Sequence, residues 1–271
     1  MEHRHNLFFP RLFESSGRRI LEISILAENI PGRIAEVSSA LAERGVNILW
    51  GVHHASDMPD VAWWCFFIDG EGVDEGELRE LISRVRGVRE IHISEANLGN
   101  MVVDLHHGIQ LLGPDAVVEM RAGWLRNVFR EAYKRWGDDG KRMVEFLGLY
   151  GGQKSYPEWR RRFGLEGKEL AEAALNVMVV LGWIERGEVV ELDAEKCTAR
   201  VRVWNTFESG EPAPGPVCHF LKGVLTGFFS EMFGAPCFGQ EVACRAKGDE
   251  YCEFVVTKKP FTFSRESEHQ G

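Results

Sequence analysis

Nowhere in the 271 residues do eighteen apolar residues run together, which is shorter than a membrane-spanning helix requires. The N-terminal stretch MEHRHNLFFPRLFESSGRR is broken by acidic and polar residues where a secretion signal needs an apolar run. A cytoplasmic, soluble protein is expected. Basic charge is also scarce: 32 Lys and Arg against 41 Asp and Glu leave a formal net charge of -9. Broad binding to a phosphate backbone therefore lacks its driving force, and neither direct nucleic acid contact nor membrane contact is expected. The basic run PEWRRRFGL, residues 157–165, reads as a solvated helix face or as a contact for an acidic partner. Six cysteines do not make a secreted disulfide framework in a chain this long; in a reducing compartment they point to metal binding or reactivity. Two nucleotide signatures are absent, the Gly-x-Gly-x-x-Gly turn after a strand and the Gly-Lys-Ser phosphate loop, whose spacing GLYGGQKS lacks. No site for an electron donor can be named.

What is present suffices for two cores, since 44% of the residues are hydrophobic. From residue 20 to 26 the chain alternates as a half-buried strand does. Asn29, Pro31 and Gly32 then interrupt it, and Ile34, Val37, Leu41 and Val46 recur at helical spacing, which predicts a helix from about 31 to 44. Two apolar runs, 46–55 and 60–68, flank the turn cluster SDMPD and read as a hairpin. A helix at about 74–86, with Leu78, Leu81, Ile82 and Val85, and a strand at 88–95 complete the order β-α-β-β-α-β. That order is the ferredoxin-like split βαβ arrangement. Pro31 has no N–H to waste at a helix start, Gly32 lets a ligand or a neighbouring backbone approach, and the free N–H groups of the helix N-terminus suit a carboxylate.

The stretch ENIPGRIAEVSSALAERGVNI resembles the opening of an ACT domain, and the likeness extends over 19–97. The resemblance implies ligand contacts from Asn29, Pro31, Gly32 and Asn47, with Asn47 packing close to the loop, and an amino acid or similar small acid as ligand. The same loop can also simply start a helix, in a module that dimerises without ligand. Trp50, Trp63 and Trp64 make the strands unusually aromatic, and one layer of helices hides only one face of a sheet. A homodimer, or contact with the second module, is expected from that surface.

Residues 98–113 read as a linker, and they hold His106 and His107. Adjacent histidines point apart on a strand and lie about 100° apart on a helix, so joint ligation is awkward. From 114 to 258 the order is helices, two strands, a helix and two strands, a second α+β domain, with a flexible tail expected at 259–271. The helical patterns are DAVVEMRAGWLRNVFREAYKRWG, KRMVEFLGLYGG, KELAEAALNVMVVLGW and GPVCHFLKGVLTGFFSEMFG; the strands are WIERGEVVELD, CTARVRVWNTFE and the hairpin around QEVACRAKGDEYCEF.

That hairpin carries Glu241, Cys244 and Cys252, and Cys218 opens the helix before it, where the reversal through APCFGQ can bring it back. Three thiolates and a carboxylate make a closed four-ligand zinc site with no vacancy for water. Glu241 and Cys244 are three apart along a strand and would face opposite ways, so a bulge is required near Val242 or Ala243. Other readings stand beside this one: unmetallated thiols packed as small hydrophobes, a disulfide, an iron-sulfur cluster, or Cys237 in place of Glu241. Cys65 and Cys197 read as core residues. His219 beside Cys218 is a poor nucleophile pair, because a helix sets adjacent residues apart.

With GDEYCEF as its most specific element, residues 101–257 resemble the 4-vinyl reductase domain family. Phenol-sensing relatives there hold zinc with three Cys and one Glu in this order, which implies the same roles for Cys218, Glu241, Cys244 and Cys252. The resemblance also implies a pocket for an apolar molecule, with lining candidates Trp124, Phe129, Phe146, Tyr150, Trp183, Trp204, Phe220 and Phe228. The His and Trp that anchor phenol in those relatives are not matched here, so the polar anchor is unassigned. The expected function is a non-enzymatic two-input sensor that acts through a protein partner. The alternative is an accessory that presents a tetrapyrrole-like or lipid-like substrate for reduction.

Overall fold

A computed structural model describes residues 11–55, 59–104, 107–109 and 117–259; the chain divides into two compact units, Met1–Val117 and Val118–Gly271. The first unit opens with β1 (Leu12–Glu14), followed by β2 (Ile20–Glu28), α1 (Arg33–Glu43), β3 (Ile48–His54), β4 (Val61–Asp69), α2 (Glu75–Ser83) and β5 (Val88–Glu95). Its main sheet has the order β3-β4-β2-β5 with every neighbouring pair antiparallel. This is the split βαβ order anticipated from the sequence.

Alternation on β2 sorts the two faces. Leu21, Ile23, Ile25 and Ala27 pack with Phe66 and Ile68 of β4 against Val37 and Leu41 of α1 and Leu78 and Ile82 of α2. Glu22 and Ser24 point the other way. Asp74 caps α2 by accepting from the Glu77 N–H at 2.9 Å. At α1 the residue before the helix, Gly32, has φ 91 and gives no side-chain cap.

Two further strands, β6 (Asn97–Leu98) and β7 (Met101–Val103), join β1 in a small sheet of order β1-β7-β6. These two short strands lie around the start of the span expected as a linker, 98–113. Val102 and Phe13 from this sheet pack with Ile20, Phe67, Ala96 and Trp50, covering one end of the main sheet's second face. His106 and Pro114 lie outside the described residues, as do 260–271 of the expected tail.

The second unit contains α3 (Ala122–Phe163), α4 (Gly167–Val180), β8 (Arg186–Asp193), β9 (Thr198–Trp204), α5 (His219–Phe233), β10 (Cys237–Ala243) and β11 (Cys252–Lys258). Its antiparallel sheet has the order β10-β11-β9-β8. Val201, Val203, Phe254 and Val256 face Leu170 and Leu175 of α4 and Leu221, Leu225 and Phe228 of α5. The first two helices expected here are the two halves of α3, which meet at a break at Gly137, whose φ 55 and ψ -127 only glycine adopts readily. The bend is sharp: a Cβ on Gly140 would stand 2.3 Å from the carbonyl oxygen of Ala132.

Past the bend, α3 meets α5 along glycine. A Cβ on Gly148 or Gly152 would fall 2.0 Å from the carbonyl oxygens of Phe220 and Val224 respectively. From the other side, Cβ atoms on Gly223 and Gly227 would fall 2.1 Å from those of Glu145 and Leu149. The two helices therefore touch backbone to backbone. An ion pair between Lys222 and Glu145 at 2.7 Å flanks the seam.

Candidate functional site

Cys218 is the residue before α5, and its backbone N–H donates to Glu241 Oε2 at 3.1 Å. The next free N–H groups of the helix, on Phe220 and Leu221, donate to the carboxylate of buried Glu208 at 3.0 and 2.9 Å. That carboxyl group, which burial pushes up to about 8, holds the first turn in place by accepting both N–H groups. On the facing hairpin the ladder between β10 and β11 slips between Glu241 and Ala243. The slip is a bulge at the place parity demanded, and it turns Glu241 toward the side of Cys244. Cys244 leads into a 3₁₀ turn, Arg245–Lys247, closed by Gly248 at φ 104. Asp249 Oδ2 accepts from the Cys244 N–H at 2.7 Å, and the Arg245 N–H donates to Cys252 Sγ at 3.3 Å.

These local bonds converge four donors. One ligand atom from each of Cys218, Glu241, Cys244 and Cys252 lies within 4.8 Å of the others, a set that could hold a metal ion. All three cysteines are fully buried. Cys218 Sγ and Cys252 Sγ are 3.7 Å apart. A disulfide needs about 2.05 Å, whereas sulfurs about 2.3 Å from a tetrahedral zinc stand about 3.8 Å apart. Charge says the same. Burial, with help from Cys244, pushes the Glu241 carboxyl up to about 8. The Cys218 thiol is pushed up by its bonds to Cys244 and Cys252 and by burial, while Cys244 is pulled down by its own bonds to Cys218 and Cys252. Glu241 Oε1 is buried without a hydrogen bond. One thiol is pulled toward the thiolate while burial holds its neighbours protonated, and one oxygen is unsatisfied; a cation at the centre of the four would relieve both.

The remaining cysteines divide. Cys237 starts β10, with its thiol toward the carbonyl of Ala235 at 3.3 Å, and is not among the four. Cys197, expected on a strand, occupies the β8–β9 turn at φ 51. Cys65, expected in the core, is half-buried on the second face of the first sheet, 3.0 Å from His107 Nε2.

The eight aromatic candidates do not converge on one pocket. Phe129, Trp183 and Phe220 meet, joined by Phe207. Phe228 lies deeper, edge-on to Tyr156. Trp204 belongs to the sheet's other face by strand alternation, where Arg186 stacks on it at 3.5 Å. Trp124, Phe146 and Tyr150 are more than half exposed on α3. The space beside Phe129 and Tyr133 measures about 10 Å³, room for one water. Sequence reasoning missed two residues there. Tyr133 packs edge-on to His219 with ring centroids 5.1 Å apart, and its hydroxyl and His219 Nε2 are both buried without a hydrogen bond. Burial moves both groups toward neutrality, raising Tyr133 and lowering His219 to about 4. Neither shows itself in the sequence, because only the bend at Gly137 and the start of α5 bring them together.

In the first unit, Asn29, Pro31 and Gly32 line a groove of about 600 Å³ with Ile25, His53 and Trp64. Asn29 is fixed by donating to the Pro59 carbonyl at 3.2 Å. Buried Arg33 reaches Glu28 at 2.9 Å, and its Nε lacks a partner. Asn47 is not nearby within the chain. Because α1 carries the chain back along the sheet, β3 starts opposite Ile68 and hence beside Leu21, at the end of the sheet away from the loop.

Residues 200–258 match the model of the V4R domain family, a span that holds all four candidate ligands. An uncharacterized protein of Methanocaldococcus jannaschii is 34% identical over 59 residues, 21% of this chain and 37% of that one. The match thus spans little more than a third of the curated relative's length. Among solved structures, the phenol-responsive sensory domain of the transcription activator PoxR, determined with phenol, is similar with a TM-score of 0.49 and 16% identity, covering 55% of this chain and 79% of that one. A vinyl-4-reductase family protein of M. jannaschii gives 0.37 at 16%, covering 53% and 85%. The regulatory subunit of aspartate kinase from Thermus thermophilus gives 0.27 at 20%, covering 31% and 55%.

Proposed function

We propose that this chain is a ligand-binding regulatory protein whose second unit senses a small, mostly apolar molecule bearing one polar group. The observation that carries the reading is the pair of buried, unbonded polar atoms, Tyr133 Oη and His219 Nε2, set among Phe129, Phe207 and Phe220. Buried polar groups are nearly always satisfied, and a ligand hydroxyl that displaced the Phe220 ring would satisfy both. Cys218, Glu241, Cys244 and Cys252 would hold a structural zinc ion. Four protein donors leave it no open position, so it contributes folding free energy and pins the start of α5, next to His219 and Phe220. The V4R match over the same hairpin supports this. For the first unit, the groove at Asn29, Pro31 and Gly32 suits an amino acid or small acid, whose carboxylate would meet the N-terminal N–H groups of α1 and the Arg33 guanidinium.

The test is thermal melting with 4-ethylphenol and with ethylbenzene, on zinc-loaded full chain and on Tyr133→Phe. 4-Ethylphenol should raise the midpoint more than ethylbenzene, and Tyr133→Phe should erase the difference. Equal shifts from both compounds in the unaltered chain, or none from either with no apolar molecule retained in native mass spectrometry, would refute the reading.

A further inference from the structure

The second face of the first unit's sheet holds a group of side chains that the sensing role does not use. Glu22 and Ser24 project from β2 and Cys65 from β4, all on the face away from the helices. His107 arrives from beyond β7 and places its ring among them. Its Nε2 stands 2.9 Å from Ser24 Oγ and 3.0 Å from Cys65 Sγ. Its Nδ1 stands 3.0 Å from Glu22 Oε1 and 3.1 Å from Asp104 Oδ1. Arg11 Nε neutralises the outer oxygen of Asp104 at 3.1 Å, leaving Oδ1 to the cluster.

One ring nitrogen cannot bond two carboxylates with one hydrogen. Glu22 bears the consequence: its side chain is 3% exposed, and Oε1 has no hydrogen bond although Nδ1 is so near. Oε1, Asp104 Oδ1 and Nδ1 lie within 4.8 Å of one another, so a cation between them would satisfy the orphan oxygen and offset the buried charge of Glu22. The opposite nitrogen fits that arrangement. With Nδ1 turned toward a cation, Nε2 carries the hydrogen and donates it to Ser24 Oγ, whose own hydroxyl donates on to Cys65 Sγ at 3.3 Å; this is the outer bond that orients metal-binding histidines.

We propose that Glu22, Asp104 and His107 form a divalent-cation site with open coordination positions. One imidazole and two carboxylates are zinc-type donors, and three protein ligands leave room for a fourth. The vacancy opens into a cavity of about 590 Å³, walled by Trp50, Val52, Trp63 and Phe67. Those walls and that cation suit a small molecule with an anionic oxygen on an apolar body. This reading is independent of the thiol-rich site and of the groove at Asn29.

Zinc counting tests it. The full chain is stripped with chelator, reloaded with zinc, desalted and assayed for metal per chain, with melting curves recorded to confirm folding. About two zinc ions are expected in the unaltered chain and about one in either Glu22→Gln or His107→Gln. Adding Cys252→Ser to Glu22→Gln should remove the remaining ion. Each site is read as the difference between a variant and its parent, so failure of one leaves the other measurable. If folded Glu22→Gln and His107→Gln both hold as much zinc as the unaltered chain, the proposal is wrong and His107 is simply an imidazolium paired with two carboxylates.

Discussion

Gly148→Ala puts one methyl group into the backbone seam between α3 and α5. The new carbon would lie 2.0 Å from the Phe220 carbonyl oxygen and 2.9 Å from the Val224 nitrogen, where ordinary contact begins near 3.4 Å. Restoring that distance needs about 1.4 Å of movement, the difference of those two values, and the obstacle is helix backbone, which has no other rotamer to adopt. Overpacking costs about 1–3 kcal/mol, and a rigid obstacle argues for the top of that range. Alanine regains about 1 kcal/mol of helix propensity, so net destabilisation of about 2 kcal/mol is expected. Gly151→Ala is the internal control, since nothing lies within 4 Å of its Cβ position on the same helix. It should be neutral or stabilising by up to about 1 kcal/mol. Urea unfolding, followed by a probe on the second unit, reads the contrast. With a slope of about 2 kcal/mol per molar, the Gly148→Ala midpoint falls by about 1 M. If the two variants unfold at the same urea concentration, α3 and α5 do not touch through their backbones.

Asp249→Ala removes the acceptor for the Cys244 N–H without touching a candidate ligand, and should weaken zinc affinity about 10–100-fold by competition with a chromogenic chelator. Glu253 accepts from Arg200 and Arg202, each at 2.5 Å; Glu253→Gln should cost about 1 kcal/mol in urea unfolding, small because both guanidinium groups keep solvent contact. Gly32→Ala meets no atom within 4 Å but must hold φ 91, a strain of about 1–2 kcal/mol that should appear in the melting of the first unit and leave the zinc content unchanged.

Much of this architecture is legible in the sequence because local period and burial agree. Leu21, Ile23 and Ile25 alternate and face helices whose Val37, Leu41, Leu78 and Ile82 recur at helical spacing, so order and sheet follow together. The set of four candidate ligands is legible because cysteine is scarce, and even the bulge follows from the odd spacing of Glu241 and Cys244. What escapes has no local period. β6 and β7 are two and three residues long, too short to show alternation. The cluster around Glu22 gathers Cys65 and His107 across 42 positions, and no spacing rule joins them. The aromatic residues of α3 mislead because density alone does not say which side of a bent helix faces inward: Phe129 goes in, while Phe146 stays out.

Helix α5 follows Cys218, presents Phe220 in its first turn, and then lies bare against α3. Side chains between two helices act as cushions, changing rotamer to absorb small displacements. The glycine seam removes the cushion, so α3 and α5 travel as one strut. A displacement of Phe220 is passed with little loss to the turn of α3 beside it, where Gly148 meets the Phe220 carbonyl and Phe146 and Tyr150 stand in solvent.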